Sequence, residues 1–559
     1  MDRRAFLTGR KRAPLSESAS PTGIRQIFSD LTPYSGTWSS TEVIHLLKRT
    51  MFGAKLSDVQ YFTGLTMSQA VDELLDVSST PPAPPVKTYS NDGVPASDPD
   101  YGIAHGDTWV NTWSGDGTVN SRRTGSWKSW WTGLMIHQQR SIREKIVLFW
   151  HNHFATEANE YARGSFGYRH NALLRADCLG NFKKIVRDIT LDAAMLRYLN
   201  GYLNTNTAPD ENYSRELQEL FTLGKENNPN YQEDDVKAAA RVLTGWRIDS
   251  TNDTVFFDIN RHDKNSKTFS SFYNGHVIAG RADATAGEAE LDDLLNMIFS
   301  KNIEVSEFIV KRLYLWFCYY TIDSNTMETV IRPLAQLLRN SNWEIKPVLA
   351  ALLKSEHFFD PLNQGCLIKS PIDITVSTLR EFNVTMPAQN DYVNAYNMYD
   401  YIRSQAAIMQ QNLGDPPSVS GWPPYYQVPQ FYEIWINSDT LPKRNRFTDQ
   451  LILTGYSRNG EKIQIDPVAF AASLPNPADP NALLSDSLNI LYRVPISENS
   501  RTIIKRQILL SSQEHDYYWS NAWNAYLANP SNMTSYQIVY NRLRDLYKYL
   551  MNLSEFQLS

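Results

Sequence analysis

The fold is decided by a stretch that reads PDENYSRELQELFTLG from Pro209 to Gly224 and KENNPNYQEDDVKAAARVLTGWR from Lys225 to Arg247. Apolar side chains recur in each half at spacings of three and four residues, which is typical of an amphipathic α-helix. Gly224 and Gly245 follow the two patterns, where glycine commonly ends a helix. The stretch therefore predicts two helices joined by a polar turn, each with an apolar face beside a polar one. The apolar positions are Tyr213, Leu217, Leu220, Phe221, Val236, Ala239, Ala240 and Leu243.

Helical spacing continues on both sides of this stretch. Ser39 and Glu42 have the spacing of a capping box at the start of one such segment. The run TVFFD at 254–258 predicts a short strand. We expect a mainly α protein, one large multi-helix unit with a small β element near 254–258 and a helical C-terminal portion. The helical patterns lie near 39–53, 67–75, 127–139, 143–154, 170–200, 288–360, 433–455, 484–492, 499–511 and 534–552.

Composition along the chain predicts three parts. Residues 1–35 are polar and rich in Ser, Pro and Thr, so we expect a flexible N-terminal segment. Residues 36–365 form a helical core domain that carries the polar site. Within it, 81–120 is rich in Pro, Gly, Asp and Ser and too long for an ordinary loop, so it is predicted to be an insertion. Residues 366–559 are expected to be a helical portion packed on that core.

The overall composition excludes several classes of protein. The 559 residues carry a net charge of −6 spread along the chain, so no basic patch points to a nucleic-acid partner. The 3 cysteines are too widely spaced for a disulfide framework or a zinc motif. No apolar run is long enough for a membrane-spanning helix. The segment Asp2–Leu7 resembles a twin-arginine export motif, but no apolar stretch follows it, so the motif is interpreted as degenerate.

The polar face of the first helix is one candidate site. Glu216 and Glu219 lie three residues apart and face the same way, which suits a divalent metal or a general acid/base pair. Asn212 and Arg215 lie beside them and are candidates for substrate binding. A structural alternative fits equally well, because Arg215 has ion-pair spacing to both Glu211 and Glu219. The same charges would then form a solvated helix face or a buried structural network.

Two other segments carry candidate residues. His151 and His153 lie in WHNHF, and residues two apart on a continuous helix point to nearly opposite sides. The two rings would converge on a metal only if the helix ended there or the segment were extended; otherwise one histidine faces the core and one the site. The structural alternative is a hydrogen-bonded histidine at a helix end. The loop after the predicted strand brings His262, Asp263 and Lys267 close together in sequence. Such loops often carry functional residues, although turn formation explains Asp263 as well.

Several segments, in this order, resemble the domain of unknown function 1800 family, an uncharacterised bacterial family. The resemblance implies a large, mainly helical unit and frequent export by the twin-arginine route, hence a periplasmic or cell-envelope location. It also implies a co-encoded exported partner related to the sulfatase and phosphatase group. It implies no reaction and no catalytic residue. The matching stretches are His45–Gly53, Arg143–Thr156, Met195–Gly201, Glu211–Gly224, Asp234–Arg247, His262–Asp263 with Lys267–Phe269, Ile368–Pro371 and Pro417–Pro423.

These patterns predict a hydrolase-like enzyme with a polar cleft. In this hypothesis the carboxylates and a histidine hold a divalent metal or share a proton, and Arg215 and Lys267 bind an anionic group. A non-catalytic envelope or partner-binding protein is the alternative, and its charged residues would be structural. The many Trp and Tyr residues leave carbohydrate binding open as a third function. The predicted catalytic residues are His153, Glu216, Glu219, His262 and Asp263; the predicted substrate-binding residues are Asn212, Arg215 and Lys267; the predicted metal ligands are His151, His153 and Glu216.

Overall fold

The computed structural model describes residues 27, 29–78, 80–225, 231–427 and 431–559. The mainly α class is confirmed, since helices dominate and the strands form only short antiparallel pairs. The predicted twin-arginine segment, and all but the end of the predicted flexible segment 1–35, lie outside the described residues. In the described part of the chain, no helix has the length and apolar character needed to cross a membrane.

The α-helices are distributed along most of the described chain. The first group contains Ser40–Thr50, Leu56–Thr63, Met67–Leu74, Gly117–Ile136, Arg143–His153, Ala158–Tyr161, Gly164–Ala176, Phe182–Thr190 and Ala193–Tyr198. The second contains Asn212–Glu216, Glu233–Val242, Ala286–Ser300, Asn302–Phe317, Ser324–Thr326, Arg332–Asn340, Ile345–Leu353, Glu356–Phe359, Pro371–Glu381 and Tyr392–Ile408. The third contains Thr440–Leu453, Pro467–Ala472, Pro480–Leu491, Glu498–Ile504, Tyr517–Ala528 and Met533–Met551.

The strands form three separate antiparallel hairpins. The predicted β element near 254–258 is confirmed as β2 (Val255–Phe257), which pairs with β1 (Trp246–Ile248). Two further pairs complete the set: β3 (Lys267–Thr268) with β4 (Val277–Ile278), and β5 (Tyr456–Arg458) with β6 (Glu461–Ile463). The β1–β2 hairpin begins shortly after the helix Glu233–Val242, and β3 packs against that helix. The loop between these two hairpins also lies beside the helix, because its Asp263 pairs with Arg241.

The predicted helix pair is present, with one irregularity. The first helix begins as Asn212–Glu216 and continues as a π-helical turn over Leu217–Thr222, in which the Leu223 N–H donates to the Gln218 carbonyl oxygen. Such widened turns are often found at functional sites. Gly224 ends the helix at φ +79°, and a Cβ there would lie 2.5 Å from the Phe308 ring. Glycine is therefore required for both backbone conformation and space.

One continuous cluster of buried apolar side chains runs through the described residues, from Ile27 to Phe556. The helix Arg143–His153 lies within it, because every side chain from Glu144 to His153 is buried. A helix without an exposed face needs packing partners all round. Its polar residues are therefore buried among other elements. The predicted division of the chain near residue 366 stays a prediction, since this cluster contains side chains from both parts.

Candidate functional site

The predicted site residues lie in three different environments. His262 and Lys267 belong to what we call the closed ion network, formed by Arg241, His262, Asp263, Lys267 and Glu290. The Lys267 Nζ lies 2.5 Å from Glu290 Oε2, and His262 Nε2 lies 3.2 Å from Glu290 Oε1. All three side chains are fully buried. Glu290, which the sequence-based prediction missed, therefore sits between the two predicted residues.

Further bonds complete the closed ion network. The His262 Nδ1 lies 2.9 Å from the Thr244 carbonyl oxygen, and Asp263 accepts a hydrogen bond of 2.6 Å from Arg241 Nε. Burial raises the pKa of Glu290, but the hydrogen bonds from His262 and Lys267 outweigh it, so the pKa is lowered overall. Burial lowers the pKa of Lys267, against the attraction of Glu290. Charges in this network are matched by protein partners.

The polar face of the first helix is the second environment. Arg215 donates to Glu233 at 2.6 Å and lies 3.4 Å from Glu211, which is one of the two ion-pair spacings seen in the sequence. Glu219 pairs with Lys225 instead of Arg215. Asn212 is exposed. Glu216 is half-buried, and burial, with the nearby charge of Glu219, raises its pKa. This face thus has the ion-paired character of the structural alternative.

His151 and His153 occupy the third environment, on the helix Arg143–His153. This helix continues through both residues, so the rings point to different neighbours. The His151 ring packs 5.2 Å from Trp131 and 6.0 Å from His170. The His153 Nε2 lies 3.1 Å from the Phe221 carbonyl oxygen.

The predicted metal set of His151, His153 and Glu216 receives no support from this geometry, because the two histidines diverge. Within the described ranges, no group of three or more His, Cys, Asp or Glu side chains could hold a metal ion. The hypothesis of a divalent metal at His151, His153 and Glu216 is therefore not part of the proposed function.

A pocket lies beside His153, and we call it the central pocket. Its cavity measures about 70 Å³, and the atom-free space around it, including the part open to solvent, measures about 980 Å³. Of the predicted site residues, all of which the structure describes, His153 is the one that lines it. The lining residues are Lys48, Arg49, Lys145, Phe149, Asn152, His153, Leu220, Arg312, Leu315, Trp316, Tyr320, Leu367, Ile368, Ser370, Asp373, Val419, Ser420, Pro424, Tyr425, Tyr432, Trp435 and Ser559.

Aromatic rings from distant segments form much of the wall of the central pocket. The Trp316 and Tyr425 rings stack with centroids 4.3 Å apart, and the ring centroids of Tyr320 and Tyr432 are 5.0 Å apart. Asn152 fixes the 419–425 loop, because its Oδ1 accepts a hydrogen bond of 2.9 Å from the Trp422 N–H. The wall is therefore held by packing and by a buried polar contact.

Two lysines in the wall have carboxylate partners. The Lys48 Nζ lies 2.5 Å from Glu381 Oε1, and Lys145 pairs with Asp373. Burial lowers the pKa of Lys48 to about 7, although Glu381 opposes this shift. Both pairs are largely removed from water, which raises the cost of any charge left unmatched.

Arg49 is different. Its Nη2 donates to the Asn363 carbonyl oxygen at 2.7 Å and to Cys366 Sγ at 3.0 Å. Its Nε and Nη1 are buried without a hydrogen-bond partner, and no carboxylate among the residues that the structure describes pairs with the guanidinium. A buried cation in this state normally has a partner. Arg49 is also one of the residues that line the central pocket.

Lys369 and Arg444 lie next to the central pocket and share this state. The Lys369 Nζ is buried without a hydrogen-bond partner, 4.3 Å from the centre of the Phe556 ring. Burial lowers the pKa of Lys369, and Glu381 and Asp373 oppose the shift. Arg444 donates only long bonds of 3.3 Å, to Gln557 and to the Trp435 carbonyl oxygen, and its Nε has no partner within the described residues.

His153 is a weak base in this environment. Burial lowers its pKa to about 3, the charge of Arg312 adds to the effect, and the hydrogen bond with the Phe221 carbonyl opposes it. A general base works best with a pKa near the working pH. At neutral pH His153 is therefore an uncharged hydrogen-bonding group.

Sequence reasoning missed Arg49 and Lys369, although a signal was present. Each is a basic residue that ends up buried, and each follows an apolar pattern, as in VIHLLKR before Arg49 and in LIKSPI around Lys369. Basic residues are almost never fully buried unless they are paired. Such a residue within an apolar run is thus a sign of an interior charge, but its partner cannot be identified locally.

Comparison with known proteins gives one match. A family model described as "Protein of unknown function (DUF1800)" matches residues 45–558, which is nearly the whole chain. No curated protein and no solved structure matches the sequence.

Proposed function

The chain belongs to the DUF1800 family, whose function is unknown, and from that premise we propose that it is a small-molecule-binding protein whose ligand occupies the central pocket. This is a form of the non-catalytic alternative that the sequence left open. The location in the cell envelope and the co-encoded sulfatase- or phosphatase-like partner, both implied by the family resemblance, remain part of the proposal.

The observation that carries this proposal is the lining of the central pocket. Ligand sites are typically concave and largely apolar, with a few placed polar groups. In this pocket, aromatic rings surround a small set of polar side chains; the rings are those of Phe149, Trp316, Tyr320, Tyr425, Tyr432 and Trp435. The stacking of Trp316 on Tyr425 and the Asn152 bond to the 419–425 loop hold these walls without a ligand. A preformed site of this kind favours binding.

The hydrolase-like alternative has less support. Of its proposed catalytic residues, His153 is beside the central pocket, and a pKa of about 3 makes it a poor proton acceptor at neutral pH. His262 and Asp263 bond to protein partners in the closed ion network. Glu216 and Glu219 lie on an ion-paired helix face and do not line the central pocket. They are therefore not placed to exchange a proton with a ligand in that pocket.

The carbohydrate alternative also has less support. Sugar-binding surfaces stack flat, open aromatic faces against the ligand. Trp113 is an exposed tryptophan in the described part of the chain, and the Arg163 guanidinium lies 5.7 Å from its ring centre. The aromatic rings that converge belong to the narrow central pocket instead.

Fragment screening by fluorine NMR tests the proposal. Fluorinated aromatic fragments are expected to bind the wild-type protein and to compete for one site. Val419→Trp fills the central pocket and should abolish this binding. Val277→Trp, at an exposed strand position, adds the same bulk elsewhere and should leave it unchanged. Binding that survives Val419→Trp, or no fragment binding at all, would refute the central pocket as the ligand site.

A further inference from the structure

We propose that the ligand of the central pocket is a compact organic oxyanion, a carboxylate, phosphate or sulfonate on a small flat apolar body. Its charged group is received by the unpaired N–H groups of Arg49, and Lys369 supplies a second unneutralised positive charge behind the wall. This inference rests on the proposed function, because it assigns the chemical class of the ligand in the same site.

The first argument is a charge imbalance around the central pocket. Two buried carboxylates, Asp373 and Glu381, each pair with one lysine. The remaining buried cations have no such partner among the described residues. Burying an unmatched charge is costly, so an anion from outside the protein is the natural partner for the excess. The buried cationic side chains at this place are Lys48, Arg49, Lys145, Lys369 and Arg444.

The second argument is the geometry of Arg49. One of its nitrogens is held by the Asn363 carbonyl oxygen and by Cys366, which fixes the plane of the guanidinium. The other two nitrogens keep unused N–H groups, and the residue lines the central pocket. Guanidinium N–H groups form strong, charge-assisted hydrogen bonds to carboxylate and phosphate oxygens. Arg49 is thus held in place beside the central pocket, and no acceptor among the described residues uses the N–H groups of these two buried nitrogens.

The third argument concerns Lys369. It lies between Ile368 and Ser370, which both line the central pocket. Among the described residues its Nζ has no hydrogen-bond partner and lies over the Phe556 ring. The positive charge of Lys369 also lowers the pKa of Lys48 further. An anion in the pocket would offset this repulsion. Lys369 therefore attracts the ligand through the electrostatic potential of its positive charge, whereas Arg49 contacts the ligand directly.

The size and the lining of the central pocket indicate the size and shape of the uncharged part of the ligand. A cavity of about 70 Å³ is narrow, so the ligand is compact. The rings of Phe149, Trp316 and Tyr425 stand in the wall and favour a flat apolar body. A benzoate-sized oxyanion has both properties.

The test uses three fluorinated probes on the full chain: 4-fluorobenzoate, 4-fluorophenyl phosphate and the uncharged 4-fluorobenzamide, which has nearly the shape of the benzoate. Fluorine NMR titration gives the Kd for each. We expect at least one of the two anions to bind about tenfold or more tightly than the amide, since a hydrogen bond to a charged group contributes more than a neutral one. The tighter of the two anions distinguishes a carboxylate ligand from a phosphate ligand.

Two variants assign the effect to residues. Arg49→Gln should remove most of the preference for the anion, and Lys369→Met should reduce it several-fold, with amide binding kept in both. Lys443→Met, which removes a half-exposed lysine paired with Asp439, is the matched control and should change nothing. Because Arg49 also bonds to the protein, folding of its variant is checked by circular dichroism. Lys369→Met removes no hydrogen bond and carries the test if Arg49→Gln does not fold.

The outcomes separate this inference from the proposed function. Equal binding of the anions and the amide by the wild type, or a preference that persists in Arg49→Gln and Lys369→Met, overturns the oxyanion assignment and leaves ligand binding intact. If no probe binds, or if probes bind equally to Val419→Trp, the proposed function itself fails.

Discussion

The closed ion network and the central pocket both bury lysine and histidine side chains, but they treat the charge differently. In the network, Lys267 and His262 share the two oxygens of Glu290, and Arg241 matches Asp263. In the pocket, Arg49 and Lys369 have no carboxylate partner within the described part of the chain. A complete set of protein partners is typical of a structural role, and the incomplete set beside a cavity is the observation behind our proposal of an anionic ligand.

This difference explains why the charged residues most visible in the sequence are not those at the pocket. His262, Asp263 and Lys267 stand in one polar loop, so they attract attention as a group. Their partners, Glu290 and Arg241, satisfy them inside the fold. The unmatched cations stand alone in apolar segments. Whether such a cation is paired depends on which side chains from distant parts of the chain lie next to it in the folded protein.

Breaking the closed ion network should have the largest effect on stability. Lys267→Met removes one partner of Glu290 and leaves a fully buried carboxylate with His262 and the Arg281 backbone N–H as its remaining partners. We expect the free energy of unfolding to fall by about 3–5 kcal/mol, the usual cost of removing one member of a buried pair. Urea denaturation measures the change. A loss below about 1 kcal/mol would show that the network is not a closed structural unit.

A backbone change next to the closed ion network should have a smaller effect. Gly245 has φ +94°, and a Cβ at this position would lie 2.8 Å from the Asp258 carbonyl oxygen and 3.3 Å from His262 Cβ. Gly245→Ala should therefore cost about 1–3 kcal/mol of unfolding free energy. Gly275 is the matched control, with φ +66° and open space around it. Gly275→Ala should cost less, and an equal cost would mean that the close approach contributes nothing.

Acid should lower the free energy of unfolding through His153, which lines the central pocket. Its folded pKa is about 3 and its ordinary value is 6.5, so below pH 6.5 the unfolded chain binds a proton that the folded protein does not. Stability is therefore lost as the pH falls from 6.5 toward 3, by at most about 1.4 kcal/mol per pH unit from this group. His153→Gln should flatten the dependence of unfolding free energy on pH. An unchanged slope would mean that His153 is not buried and neutral.

The smallest expected effect has the opposite sign. Lys369→Met removes an unmatched buried charge and keeps most of the side-chain volume, so the ligand-free protein should be unchanged or up to about 1 kcal/mol more stable. Thermal and urea unfolding without added anion measure this. Lys267→Met and Lys369→Met are the same substitution, made once at a buried lysine that has a carboxylate partner and once at a buried lysine that has none. A clear destabilisation would assign Lys369 to the structure instead of the ligand.

Local sequence patterns predicted the secondary structure well. The capping box of Ser39 and Glu42 is present, the strand near 254–258 is present, and Gly224 ends its helix with a positive φ. Each depends on residues within a few positions of each other. The π-helical turn at Leu217–Thr222 was not predicted, because apolar spacings of three and four residues do not distinguish one widened turn from a regular α-helix.

The candidate site was much harder to predict. Lys48, Lys145 and Arg49 could be seen as charged residues, but their partners Glu381, Asp373 and Asn363 lie more than two hundred residues away in the chain. Whether a buried cation is matched is a question about such distant contacts. Of the predicted site residues, His153 lines the pocket, because the last turn of its buried helix forms part of the pocket wall.

The sequence by itself determined the helices, their ends and the short β element, because spacing, caps and glycines act over a few residues. The helix pair at 209–247 follows from that local chemistry. Only the tertiary structure decided which charges are satisfied. Electrostatic matching in a low-dielectric interior depends on distances between remote segments. The fold paired the polar loop with Glu290 and Arg241. It placed Arg49, a buried residue of the helix Ser40–Thr50, in the wall of the central pocket without a carboxylate partner in the described part of the chain.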